Sequence, residues 1–137
     1  MEKMRLGRTG LMVSRSGFGA IPIQRINAEE AGRLLRKACD HGINFYDTAR
    51  SYTDSEEKIG LALSGRREKI LIATKNKGES RQTVLTELEK SLRLLKTDYV
   101  DLLQIHNLKT FPDPDDPDTG YRGLLEARQK GMTRFIG

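Results

Sequence analysis

A single cysteine, Cys39, stands among the 137 residues. One thiol excludes an intramolecular disulfide framework and a metal site built from cysteines alone. It suits a reducing compartment. Long apolar runs are missing too: none approaches the about 18 residues that cross a bilayer, and the mean hydropathy is -0.58. No membrane partner is expected. The charges at Glu2, Lys3 and Arg5 are followed by no apolar stretch, so no secretory signal is expected either, and a cytoplasmic location is. Low-complexity segments and short fixed-period repeats are also absent.

What is present is charge, at 31% of residues, beside 36% hydrophobic residues. That balance is polar but still globular. The formal net charge is +5. Asp113, Asp115, Asp116 and Asp118 sit in one Pro-rich stretch, and the remainder of the chain carries +9. Basic residues are dispersed along predicted helices, with no aromatic-plus-basic stacking motif among them. No nucleic-acid partner is expected.

Element types alternate along the chain. Met4 to Val13 reads as a hairpin with Arg8-Thr9-Gly10 near its turn, and Ser16 to Ile23 as a first strand. Asn27 and Glu30 form a capping-box pattern for a helix running to about His41, with Gly42 as its C′ residue. Ile43 to Asp47 is a second strand. Asp54 and Glu57 suggest another capping box, opening a helix to about Leu63. Ile70 to Lys75 is a third strand. Ser80 opens an amphipathic helix whose Val84, Leu85, Leu88, Leu92 and Leu95 recur at helical spacing. Tyr99 to His106 is a fourth strand. Pro112, Pro114 and Pro117 break regularity before a helix over Gly120 to Lys130 and a fifth strand over Thr133 to Ile136.

Strands apolar on both faces, alternating with helices, predict a parallel sheet covered by helices. Open Rossmann-like and closed barrel folds both satisfy this order. The first strand-to-helix turn, Gly17-Phe18-Gly19-Ala20-Ile21-Pro22, lacks the third glycine of a dinucleotide fingerprint. The spacing therefore favours a (β/α) barrel.

In barrels, functional side chains stand at the C-terminal ends of strands. Here those residues are Asp47, Lys75 and His106, with Tyr52 five positions after Asp47. On neighbouring parallel strands the four converge at one mouth. A lysine ammonium beside a tyrosine favours the phenolate, whose proton is otherwise held to about pH 10. A tyrosine so placed can give and take a proton near neutrality, and a histidine can polarise a carbonyl oxygen. The set suits proton delivery to a nascent alkoxide, with a hydride from outside. Each residue also has a plain reading: Asp47 as a turn cap, Lys75 as a solvated strand end, Tyr52 as packing, His106 as a structural histidine.

These residues lie in stretches similar to one family. Leu6-Gly7-Arg8-Thr9-Gly10-Leu11, Gly17-Phe18-Gly19, Gly42-Ile43-Asn44-Phe45-Tyr46-Asp47-Thr48-Ala49, Tyr52, Ser55-Glu56 with Ile59-Gly60, Ile72-Ala73-Thr74-Lys75 and Asp98 to Leu102 leading to His106 together resemble the N-terminal half of the aldo-keto reductases. The resemblance implies a (β/α)8 TIM-barrel fold. It implies carbonyl reduction with NADP(H) or NAD(H), on a small-molecule carbonyl substrate. It also implies a catalytic tetrad of Asp47, Tyr52, Lys75 and His106, with Tyr52 as general acid, Lys75 assisting it, Asp47 holding Lys75 and His106 orienting the carbonyl. Ala20, Ile21 and Asp47 would lie close to the cofactor.

The match stops at the family's fifth strand. A full barrel takes eight units and about 250 residues. Residues 1–137 are thus expected to be one partial domain: a hairpin, four β/α units and a fifth strand. Inward side chains such as Phe45, Ile72 and Leu103 would then face no opposite wall, and a homodimer of half-barrels is one way to supply it. The alternative to a reductase is a non-enzymatic half-barrel that self-associates or binds a partner protein. No metal site is expected, because His41 and His106 belong at opposite ends of the sheet. Cys39 reads as helix packing and the Asp-rich stretch as a surface excursion.

Overall fold

The computed structural model describes residues 1–137. The chain opens with a hairpin in which β1 (Lys3–Arg5) pairs antiparallel with β2 (Met12–Ser14). A 3₁₀ turn at Gly7–Thr9 joins them, closed by Gly10 at φ +74°. Asn44 clasps the hairpin. Its Oδ1 accepts from Ser14 N–H at 2.6 Å, its Nδ2 donates to Met12 O at 2.9 Å, and its own N–H donates to Ser14 Oγ at 3.1 Å. Asn44 directly precedes a strand, so the hairpin is held at the N-terminal end of the sheet.

Five strands and four helices follow in strict alternation. They are β3 (Phe18–Gly19), α1 (Ala28–Asp40), β4 (Phe45–Asp47), α2 (Ser55–Leu63), β5 (Leu71–Asn76), α3 (Arg81–Leu95), β6 (Val100–Ile105), α4 (Gly120–Gln129) and β7 (Thr133–Ile136). Each strand pairs in parallel with the next, in the order β3-β4-β5-β6-β7. A dinucleotide-binding sheet reverses direction part-way, which is where its ligand crevice forms. An uninterrupted sequential walk is the order of a (β/α) barrel. The choice left open by spacing is decided by topology.

Most helix signals work as expected. The Asn27 side chain accepts from Glu30 N–H at 2.9 Å, and Ser80 Oγ accepts from Thr83 N–H at 3.1 Å. Gly42 follows α1 at φ +88°, where a glycine pays no Cβ penalty. Ile43 N–H returns to Ala38 O at 3.0 Å to finish the cap. Two expectations fail. The strand over Ser16 to Ile23 contracts to Phe18–Gly19, with one more rung from Ala20 N–H to Asp47 O at 2.9 Å. Pro22 has no N–H for a ladder and starts a 3₁₀ turn, Pro22–Arg25, instead. Asp54 makes no capping bond at the head of α2. Its carboxylate is taken by Lys58 one turn on, at 2.7 Å.

The core lies between the sheet and the helix layer. Tyr46, Ile72, Val100 and Leu103 pack against Leu35, Ile59, Leu63, Val84, Leu88, Leu95 and Leu124. Ile72 and Leu103 thus face the helices, not the barrel interior, which corrects the expected orientation. Strand alternation puts Phe45, Leu71, Lys75, Leu102 and Gln104 on the inner face, and all five are half-buried. Ring packing continues on the outer side, with Phe18 and Tyr46 centroids 5.6 Å apart. Burial pushes the Tyr46 phenol up, and its hydroxyl finds the Ile43 and Leu35 carbonyls at 3.2 and 3.3 Å. No helix is long and apolar enough to cross a membrane.

Gly60 allows α2 and α3 to touch backbone to backbone. A Cβ there would fall on the Leu94 carbonyl oxygen and the Leu95 backbone. Neither can swing aside as a side-chain tip would. Gly60→Ala is expected to lower the free energy of urea unfolding by about 3 kcal/mol. A loss below about 1 kcal/mol would show that the two helices can part freely.

Candidate active site

Single backbone bonds prolong the strands and fix the loops at their ends. Thr48 N–H donates to Ala73 O at 2.9 Å and Arg50 N–H to Lys75 O at 2.8 Å, while His106 N–H donates to Asn76 O at 2.7 Å. These rungs bring the tops of β4, β5 and β6 into one surface. Lys75 stands at its centre. Its ammonium donates to Asp47 Oδ2 and to Thr48 O, both at 2.7 Å. The lysine side chain is 15% exposed and the carboxylate 38%, so the pair closes the floor of an open mouth.

Tyr52 reaches this floor from the turn after β4. Its N–H donates to Ala49 O at 3.0 Å, and its carbonyl accepts from Ser55 N–H at 2.8 Å. Thr53 follows with φ +37°, a conformation that a β-branched residue adopts only under constraint. The Lys75 ammonium lies 5.4 Å from the Tyr52 ring centroid. The His106 ring meets Tyr52 edge-on, at 5.7 Å and 81°. All four residues expected at the mouth are therefore together.

The opposite end of the sheet behaves differently. There Asp101, almost wholly buried, is saturated: Arg67 and Arg134 each donate at 2.8 Å and Ile72 N–H at 2.9 Å. At the mouth, the Tyr52 hydroxyl and His106 Nε2 have no protein partner. Buried polar groups are ordinarily satisfied within the fold, and groups left open at a cleft are available to a ligand. A cleft of about 260 Å³ runs beside them, walled by polar residues that include Arg50, Ser51, Lys75, Asn76 and His106.

The residues expected near a cofactor divide in two. Ala20 is wholly buried; its N–H is spent on Asp47 O and its carbonyl accepts from Ser55 Oγ at 3.0 Å. Ile21, next along, is 52% exposed at the rim. Gly19 is paired in register with Asp47, and a Cβ built on it would meet nothing within 4 Å. Bare backbone at Gly19, an apolar side chain at Ile21 and the Asp47 carboxylate make a shelf whose chemistry fits a flat ring with a polar substituent.

Three participants are not visible from the sequence alone. Ser51 Oγ lies 3.1 Å from His106 Nδ1, a pairing across 55 positions that no local spacing announces. Glu56 is almost completely buried, pairing with Arg50 and accepting from Thr74 Oγ1 at 2.7 Å. Lys58 is buried two residues along the same helix. The signal that was available is the run Ser55-Glu56-Glu57-Lys58, in which α2 turns three polar residues inward. The Asp-rich stretch is exposed and folds into turns on its own side chains, Asp113 and Asp116 each accepting an N–H two residues on at 2.9 Å.

A sequence model of the Aldo/keto reductase family matches residues 15–137. The chain belongs to the aldo/keto reductase family. An L-galactose dehydrogenase of Arabidopsis thaliana is 35% identical across the whole chain, which covers 48% of that protein. An aldo-keto reductase of Bacillus halodurans, solved in its holo form, superposes with a TM-score of 0.89 at 34% identity, over 100% of this chain and 49% of its own. One from Klebsiella pneumoniae, solved in complex with NADPH, gives 0.84 at 26% identity, over 99% and 48%. The chain spans about half the length of the aldo/keto reductases it matches. The five parallel strands are the matching half of a (β/α)8 barrel.

The Lys58 ammonium, hydrogen-bonded to Asp54, holds that carboxyl below the usual carboxylate range. A depressed carboxyl stabilises the fold above its unfolded value, near pH 4, and loses that contribution as the pH falls through its folded value. Urea titrations at about pH 6 and about pH 2.5 should therefore show a smaller acid loss of stability for Asp54→Asn than for the parent chain. An equal loss in both would mean that the pair contributes nothing to acid stability.

Proposed function

We propose that the protein reduces carbonyl groups with a nicotinamide cofactor, NADPH or NADH, and that Tyr52 is the general acid. The observation that carries this reading is the Asp47–Lys75 ion pair lying under Tyr52 and beside His106, with the Tyr52 hydroxyl and His106 Nε2 unspent. Membership of the family and the likeness to an NADPH-bound relative support the cofactor class.

The reduced nicotinamide, when bound, supplies a hydride to the carbonyl carbon. The chain's own residues do the rest. His106 directs Nε2 at the carbonyl oxygen; Ser51, at Nδ1, fixes the ring. A donor at Nδ1 from the Ser51 hydroxyl leaves the proton on Nε2, where it polarises the C=O bond. As negative charge gathers on the oxygen, Tyr52 transfers its hydroxyl proton to it. The resulting phenolate is stabilised by the Lys75 ammonium, and Asp47 together with Thr48 O keeps that ammonium in place. Reversal uses the phenolate as base and the same contacts. Gly19, Ile21 and Asp47 are the residues of this chain that would hold the nicotinamide end.

In the protein of natural barrel length, Tyr52→Phe is expected to cut kcat for carbonyl reduction by about two orders of magnitude or more. The KM for the cofactor should change little. Lys75→Met should be comparably severe, since the phenolate then loses its counter-charge. Near-full turnover in Tyr52→Phe, followed by oxidation of the reduced cofactor, would overturn the assignment.

A further inference from the structure

The loop between β3 and α1, Ala20 to Asn27, carries Ile21 at the rim. Inside it, Gln24 Nε2 donates to Ile21 O at 2.9 Å, while Gln24 N–H to Ile21 O at 3.4 Å and Ile26 N–H to Ile23 O at 3.5 Å lie at the long limit of a hydrogen bond. Ile23 seats the loop in the core. A segment with weak internal backbone bonds takes the rest of its shape from what grips it. Its firmest polar grip is Lys58. An ammonium has three N–H donors and no acceptor. Lys58 Nζ lies 2.9 Å from Ile23 O, 2.7 Å from Ile26 O and 2.7 Å from Asp54 Oδ2, so every donor is used. Its side chain is only 5% exposed. A charge removed from water this far is tolerated only when its bonds are complete. The two carbonyls belong to the loop, while the carboxylate belongs to the turn two residues after Tyr52. A weaker tie runs parallel, from Thr53 Oγ1 to Gln24 Oε1 at 3.1 Å.

We infer that Lys58 is a positioning residue: it locks the Ile21 loop to the head of α2, so that the shelf proposed for the nicotinamide and the Tyr52 turn are held as one rigid unit. The inference rests on the proposed function for its consequence, but not for the clamp itself. Asp47, Lys75 and His106 are fixed by the sheet, and Tyr52 also has bonds of its own, to Ala49 O and from Ser55 N–H, that do not pass through Lys58. Releasing the clamp should therefore weaken cofactor binding and spare the chemical step.

The test uses Lys58→Met, which keeps the length of the side chain and removes the charge, and Lys58→Arg, which keeps the charge and donors. Hydrogen exchange is measured residue by residue in the cofactor-free protein. In Lys58→Met, the amides of Ile23 to Asn27 should exchange at least about tenfold faster while those of β5 and β6 keep their rates. Lys58→Arg should restore part of the protection. In the protein of natural barrel length, Lys58→Met should raise the Kd for NADPH about tenfold and leave kcat at saturating NADPH within about twofold. Unchanged exchange in the loop overturns the clamp. A uniform rise across the sheet, or a failure of Lys58→Met to fold with no local change in Lys58→Arg, makes Lys58 a general stability residue and also overturns it. Local loosening with an unchanged Kd overturns its role at the shelf. If the parent protein binds no NADPH, the proposed function fails, and the exchange data alone decide the clamp.

Discussion

Charge that is taken out of water must be answered within the fold, and the first turn of α2 is where this chain meets that demand most densely. Ser55, Glu56 and Lys58 are all buried there. Each finds its partner on a different part of the mouth. Ser55 reaches the end of β3 through Ala20 O and β4 through Thr48; Glu56 reaches β5 through Thr74 and the Tyr52 turn through Arg50; Lys58 reaches the β3–α1 loop. One helical turn thereby sets the relative positions of three strand ends and two loops. The Asp47–Lys75 pair, carried by β4 and β5, sits beside this frame and remains partly open to water.

The two ends of the sheet divide stability from chemistry. At the N-terminal end, Asp101 is closed off by two arginines and a backbone N–H, and Arg67 also lies 4.1 Å over the Tyr99 ring. Both Asp101 oxygens are spent inside the protein. At the C-terminal end, the floor is satisfied and the groups above it are not. That contrast follows from a parallel sheet, which gathers all strand C-termini on one side. A catalytic arrangement there need not disturb the packing beneath.

Much of the fold was legible because its signals are local. Asn27, Ser80 and Gly42 terminate helices through bonds that span three to five positions, and β7 spans Thr133–Ile136 as the pattern predicts. Asp47, Lys75 and His106 could be placed at one mouth because each lies at, or one residue from, the C-terminal end of its strand. Errors arose where another bond, or the lack of a donor, overrode the expected local signal. Asp54 could cap α2, but a buried ammonium binds its carboxylate and offers more than an N–H would. Pro22 shortened the first strand because the ladder needs a donor it lacks. The facing of Ile72 and Leu103 depended on register, and a shift of one residue exchanges the two faces of a strand. Glu56 and Lys58 stayed hidden because polar residues on a helix look like a solvated face until the tertiary partners are known, and Ser51 because its partner His106 is 55 positions away.

The central claim is that the strand-end cluster delivers a proton to a carbonyl oxygen while a nicotinamide delivers a hydride to its carbon. Isotopic tracing separates those two transfers. The protein of natural barrel length would be given a carbonyl substrate and NADPH carrying deuterium at both C4 positions, in ordinary water. The account predicts an alcohol with one deuterium bound to the former carbonyl carbon and a hydroxyl proton from solvent. A product whose carbon-bound hydrogen comes from water, or cofactor oxidation with no alcohol formed, would contradict it.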